Sequence, residues 1–162
     1  MAGSGIDAAM IRDADGSLKD RLGRVAYVWA GLKHLRSKPF GVEVKVDGVS
    51  WFSGYVTCVL VGNLGRLFGG IEVFGDAEPD DGKLEVGVIT ADGFAQWART
   101  AARTMVAPAD TSPFVQAAKA ESVKVKLNRK VLYELDGGDR TKTKSFKVKV
   151  EPAAVTLCVP RT

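Results

Sequence analysis

Three features of this 162-residue chain predict a mainly β domain, an antiparallel β sandwich with two packed helices (α+β). Its carboxy-terminal part is written in short alternating segments such as "ESVKVKLN" and "KSFKVKVE", the period-two pattern of half-buried strands. Asp-Gly and Pro-Asp-Asp-Gly turn signals recur between strand-like segments. Only two segments carry helical spacing, so strands and helices do not alternate as they do in a doubly wound fold. Hydrophobic residues make up 46% of the chain, enough for one core, and we read residues 1–162 as a single domain.

From Leu18 to Arg36, apolar residues recur at Leu22, Val25, Ala26, Trp29, Leu32 and Leu35, the spacing of one helical face. Pro39 favours extended geometry in the residue before it and ends this helix. "FGVEVKVDGVSWFSGYVTCVLVGN" then reads as two central strands joined around Asp47-Gly48, the first alternating and the second buried on both faces. A glycine-rich stretch leads to a strand from Leu84 to Thr90. "DGFAQWARTAARTMV" reads as the second helix, with Asp92 as its cap and Phe94, Trp97, Ala101 and Met105 on one face. Four strands, "ESVKVKLN", "KVLYELD", "KSFKVKVE" and "AVTLCVP", close the chain as a meander.

The start "MAGSGIDAAM" has neither the basic nor the apolar region of a signal peptide, and no apolar run approaches membrane-spanning length, so we expect a cytoplasmic protein. Cys58 and Cys158 both sit in apolar runs and are expected to be buried reduced thiols. The net charge of +4 is uneven. From Lys119 to Thr162 there are eleven Lys or Arg against five Asp or Glu, so this region could meet phosphate on nucleic acid or on an anionic membrane. Equally, outward lysines keep a strand soluble.

The single histidine, His34, falls on the first predicted helix, which argues against Ser-His-Asp or Cys-His catalysis and against a histidine-rich zinc site. Neither phosphate-cradling glycine signature occurs. The Asp-Gly sites at Asp47, Asp80-Asp81 and Asp136 remain. Asp-Gly supplies the positive φ of a tight hairpin turn, and the paired carboxylates of the latter two could also hold a hard cation through oxygen.

Taken in order, "GIDAAMI", "LKDRLGRVAYVWAGLKHL", "VLVGNLGRLFGGIEVFGDAEPDDGKLEVGVI", "YELDGG" and "EPAAVTLCVP" resemble the carboxy-terminal half of the diacylglycerol kinase and sphingosine kinase family of lipid kinases, the bacterial soluble members above all. The resemblance covers nearly the whole chain, and the block from Gly62 to Val86 is quite specific. It implies the second, β-sandwich domain of a two-domain enzyme whose other domain binds ATP through a Gly-Gly-Asp-Gly-Thr motif. That motif does not occur in these residues, so the chain is expected to be a fragment that does not turn over ATP alone.

By the same resemblance, Asp136-Gly137 stands where the family has an Asp-Gly-Glu motif whose aspartate is proposed as general base for the lipid hydroxyl. Gly138 stands in place of the family glutamate, with Asp139 next to it. The resemblance also implies a structural magnesium ion at the acidic turn, with Asp81 as side-chain ligand, the carbonyls of Glu78 and Lys83 beside it, and Asp80 acting through water. Asp7, Asn63, Gly69 and Gly70 match its substrate-cleft positions, and Phe68, Phe74, Trp51 and Phe52 are available either to an acyl chain or to the core. The expected partners are a diacylglycerol-like lipid, the nucleotide-binding domain with its ATP, a peripheral anionic membrane surface and a second copy of the chain in a homodimer, with no nucleic acid. The alternative from the residues alone is a noncatalytic basic module that binds anionic lipid or nucleic acid.

Overall fold

The computed structural model describes residues 1–5, 8, 38–66, 72–104, 107–136, 138–139, 141–156 and 158. In chain order its strands are β1 (Ala2–Gly5), β2 (Phe40–Val46), β3 (Val49–Val56), β4 (Cys58–Gly62), β5 (Leu84–Ile89), β6 (Val115–Ala120), β7 (Ser122–Val131), β8 (Tyr133–Leu135), β9 (Gly138–Asp139) and β10 (Thr143–Lys149). Helix α1 (Gly93–Thr104) and a 3-10 turn (Ala109–Thr111) connect β5 to β6. Among the described residues there are two antiparallel sheets, one of six strands in the order β6-β5-β4-β1-β8-β9 and one of four in the order β10-β7-β2-β3.

The sheets pack face to face over one core. Phe40, Val42, Val44, Val123, Val125 and Leu127 come from the four-stranded sheet, and Val59, Val61, Val86 and Val88 from the six-stranded one. Period-two alternation produces this in β2 and β7, where each inward valine is followed by an outward Glu or Lys. β4 is buried along its whole length, as its uniformly apolar sequence predicts. On β5 the ring of Phe74 covers Gly87, where a Cβ would stand 2.9 Å from the ring.

Several sequence expectations change. The run Val49 to Gly62 is two strands, because the chain leaves one sheet at Thr57 and enters the other. Thr57 pins this corner: its N–H donates to the Ile89 carbonyl at 2.8 Å, and its hydroxyl donates to the carbonyl of Ala91 at 3.0 Å. β3 is consequently an edge strand rather than a central one. The carboxy-terminal segment is no simple meander, since β7 and β10 pair in the four-stranded sheet while β8 and β9 belong to the six-stranded one. "AVTLCVP" contributes no strand among the described residues, and Cys158 is exposed, whereas Cys58 is buried as expected. β1 and β6, "AGSG" and "VQAAKA", were not expected as strands. The first predicted helix, with His34, lies outside the described residues. At the second helix, the Asp92 N–H donates to Gln96 Oε1 at 2.9 Å.

Asp47 and Gly48 close the β2–β3 hairpin with φ of 50° and 85° and pair Val46 with Val49, the geometry of a two-residue mirror-image turn. Asp47 does more than turn the chain. Its Oδ1 accepts the N–H of Glu121 at 3.0 Å and of Ser122 at 2.8 Å, joining the hairpin to the start of β7. Asp47→Ala is expected to cost about 1 kcal/mol, the usual loss for such bonds, as measured by urea unfolding.

Candidate functional site

One end of the six-stranded sheet gathers most of the site residues predicted from sequence. Val61 and Leu135 lie on either side of Ala2 of β1, while Gly62 pairs with Glu85 of β5. Asn63 therefore follows β4, Asp136 follows β8, and the acidic turn Glu78 to Lys83 precedes β5, all at this end. Asn63 and Asp136 are separated by the width of β1, about 10 Å from the usual strand spacing. Asp7, Gly69, Gly70 and Phe68 lie outside the described residues.

Asp136 occupies the first position of a two-residue loop that pairs Leu135 with Gly138. Its φ is 49°, so it takes the left-handed conformation that aspartate tolerates better than most residues. The side chain is 84% exposed. Its N–H donates to the Met1 carbonyl at 2.9 Å, and its carboxylate pairs with the Met1 amine. The backbone of Asp139 lies opposite Glu134 in β9.

Two positions before Asp136, Glu134 is fully buried while Leu135 is 39% exposed. Sequence reasoning missed this carboxylate, because an alternating "VLYEL" strand reads with leucine inside. The register of β8 against β1 reverses that polarity.

Asn63 turns toward the acidic turn. Its Nδ2 donates to the Pro79 carbonyl at 2.9 Å, and its buried Oδ1 accepts no hydrogen bond from the described residues. Beyond it, Leu64, Gly65, Arg66, Glu72, Phe74 and Ala77 line a concavity of about 360 Å³ that opens to solvent. Phe74 is buried, and Trp51 and Phe52 pack against the core with ring centroids 6.1 Å apart. These three aromatics thus serve the fold.

The acidic turn is closed by an ammonium group. Lys119 of β6 stands directly across from Glu85 of β5, and its Nζ donates to the Asp76 carbonyl at 2.6 Å and to Asp81 Oδ2 at 3.1 Å, with Glu85 Oε1 at 3.4 Å. The other Asp81 oxygen accepts the Lys83 N–H at 2.8 Å, and the Glu78 carbonyl accepts the Asp81 N–H at 3.4 Å. The Lys83 N–H, then Lys119, hold the Asp81 carboxyl below the usual aspartate range. Burial pushes the Glu85 carboxyl up, an effect that Lys119 opposes. The hydrogen bond to Asp81 raises the Lys119 ammonium.

Magnesium needs a near-octahedral shell of oxygens at short distance. Here both Asp81 oxygens and the Asp76 carbonyl are engaged by N–H donors, and among the described residues no three metal-ligating side chains converge. The turn as built fits the Lys119 ammonium, whose positive charge already serves the Asp81 and Glu85 carboxylates that a metal ion would otherwise neutralise. Thermal unfolding of the unsubstituted protein is therefore expected to be indifferent to chelator. Lys119→Met should lower the midpoint by leaving Glu85 buried without its counter-charge, and millimolar magnesium should restore part of the loss in that variant alone.

The sequence profile of one protein family, described as the YegS C-terminal NAD kinase beta sandwich-like domain, matches residues 1–159. The chain belongs to this family. A curated relative named diacylglycerol kinase, from Bacillus subtilis (strain 168), is 30% identical over 139 residues, which is 85% of this chain and 45% of the relative. Among solved structures, that of a diacylglycerol kinase from Bacillus anthracis str. Sterne superposes with a TM-score of 0.59 at 23% identity, covering 95% of this chain and 52% of its own. A second chain from the same organism gives a TM-score of 0.64 at 19% identity, covering 95% and 53%. The YegS-type chain thus spans about half the length of these relatives, and the superpositions establish its β-sandwich fold.

Proposed function

We propose that this domain is the lipid-side half of an ATP-dependent kinase that transfers the γ-phosphoryl group of ATP to the hydroxyl of a diacylglycerol-like lipid. The observation that carries this reading is the exposed Asp136 carboxylate, held on a tight turn at the sheet end that also presents Asn63. Support comes from the relative named diacylglycerol kinase.

In this mechanism a second domain, supplied by a longer polypeptide, binds ATP. Asp136 accepts a hydrogen bond from the lipid hydroxyl and orients its oxygen toward the γ-phosphorus. As the new P–O bond forms and the bond to the bridging oxygen breaks, ADP leaves and the hydroxyl proton passes to Asp136. Where the polypeptide continues upstream of residue 1, a neutral peptide N–H replaces the Met1 amine and Asp136 loses its ammonium partner. That change leaves the carboxylate free to act as base.

The deciding experiment joins this domain to an upstream domain carrying Gly-Gly-Asp-Gly-Thr and measures transfer of labelled phosphate from ATP to diacylglycerol and to sphingoid bases. Transfer to a lipid hydroxyl is expected. No transfer to either lipid class would sink the proposal.

A further inference from the structure

A cavity of about 340 Å³ opens where the chain passes between the sheets, with the buried Phe40 and Thr57 at its base beside Gly5 and Leu132. It is separate from the candidate site. Ala2 pairs with Leu135 just before Asp136, whereas the Gly5 N–H donates to the Leu132 carbonyl, so the cavity and Asp136 sit at opposite ends of β1, about 10 Å apart along the strand.

Four exposed cations, Lys38, Arg129, Lys130 and Lys142, stand around this cavity, and no carboxylate lines it. Among the described residues no Asp or Glu pairs with any of the four, in contrast to Lys119 with Asp81 and Glu85. Like charges gathered around one concavity repel one another, and solubility alone is served by interspersed signs.

An irregularity of the sheet brings two of these cations to the cavity. Thr143 lies opposite Val131 and Ser145 opposite Lys126, so two steps along β10 span five along β7. The surplus residues bulge out of the ladder and carry Arg129 and Lys130 with them. Bulges re-aim side chains in this way and are over-represented next to functional sites. The Arg129 guanidinium is then held from two sides, since its Nη2 donates to the Lys38 carbonyl at 2.8 Å and it lies 5.8 Å above the Phe40 ring. Its remaining N–H groups donate to no described residue.

We infer that this cavity binds a small phosphate dianion, inorganic phosphate or a phosphate monoester. A fixed guanidinium offers a planar fork to two phosphate oxygens, and the lysine ammoniums add point charges around it. A single carboxylate would offset less of this charge than a dianion does. The volume falls in the range of about 300–1,000 Å³ usual for small-molecule sites. Nucleic acid would call for aromatic rings open to stacking, whereas the one ring here, Phe40, is buried beneath Arg129. The inference uses no chemistry of Asp136 and does not depend on the kinase reading.

The test follows thermal unfolding of the chain in inorganic phosphate, in glycerol phosphate and in acetate, each against chloride at equal ionic strength so that screening is constant. Both phosphates are expected to raise the midpoint in a saturable way, as a ligand of the folded state does. Acetate should leave it near the chloride value. By isothermal titration, Lys130→Gln combined with Lys142→Gln should raise the Kd for phosphate about tenfold or more, the scale of one lost charge-assisted contact. Arg129→Lys keeps the charge and the place over Phe40 but loses the fork, and should weaken binding while the midpoint in chloride reports an intact fold. Lys124→Gln combined with Lys147→Gln removes equal charge from the outer face of the same sheet and should leave the Kd nearly unchanged.

Equal responses to phosphate and acetate, an unchanged Kd in the Lys130 and Lys142 variant, or an equal loss in the Lys124 and Lys147 control would overturn the proposal. So would a response confined to phosphate monoesters presented on lipid vesicles, because an enclosed site admits the free ion.

Discussion

Asp136→Asn, in a polypeptide that also carries the nucleotide-binding domain, is expected to lower kcat by about a hundred- to ten-thousand-fold, the usual contribution of a positioned general base. The KM for lipid should change little. Asparagine keeps the size and one acceptor oxygen of aspartate but removes its charge and its ability to take a proton. It also tolerates the left-handed backbone that Asp136 holds at φ 49°, so the turn should survive. Asp47→Asn gives the matched control, because Asp47 has φ 50° in an equivalent loop at the β2–β3 hairpin. Its kcat should equal that of the unsubstituted enzyme. Steady-state phosphorylation at saturating ATP checks both, and an unchanged rate in Asp136→Asn would remove the base assignment while leaving the family membership intact.

The Asp136 turn was legible because Asp-Gly after an alternating segment has one common structural outcome, and the positive φ at Asp136 and at Asp47 is that outcome. The inward valines of β2 and β7 were legible for a similar local reason: each strand has one core face and one solvent face, so the period shows directly. The corner at Thr57 was not. Strand-forming residues flank it on both sides without Gly or Pro, and what bends the chain is a pair of hydrogen bonds to carbonyls of Ile89 and Ala91, distant in sequence. β6 was missed for a related reason. "VQAAKA" has weak strand propensity, and pairing along the edge of β5 decides its state.

The same distinction separates the candidate site residues. Asn63 and the acidic turn were picked out from a motif, whereas the cation that closes that turn comes from Lys119, 38 residues beyond Asp81. Only the β5–β6 register brings Lys119 opposite Glu85 and within reach of the turn. The alignment of Lys45, Lys124 and Lys147 across β2, β7 and β10 has the same origin. Val-Lys alternation shows that lysines face outward, but not that Lys45, Lys124 and Lys147 face one another, since cross-strand neighbours are set by pairing.

Gly5→Ala is expected to destabilise the domain by about 2–5 kcal/mol, the sum of a left-handed-side backbone penalty and a core overpacking penalty. Gly5 ends β1 with φ 94°, where a side chain is strained whatever space is available. Space is lacking as well. An added Cβ would press into the Thr57 carbonyl oxygen and approach the Phe40 ring to 2.8 Å. Thr57 is where the chain crosses from β3 to β4, and Leu132 is where it crosses from β7 to β8; the Leu132 carbonyl accepts both the Gly5 N–H at 3.2 Å and the Ser4 hydroxyl at 2.9 Å. Gly5 is thus wedged between the two corners that join the sheets, and moving it away from Thr57 loosens its bond to Leu132. Phe40 cannot yield easily, being 2% exposed in the core with the Arg129 guanidinium 5.8 Å above its ring. Urea unfolding should therefore show a lower midpoint with little change in slope. A loss below about 1 kcal/mol, the scale of an ordinary surface change, would mean that the corners move independently and that the glycine opening the "GIDAAMI" segment is not held there by packing.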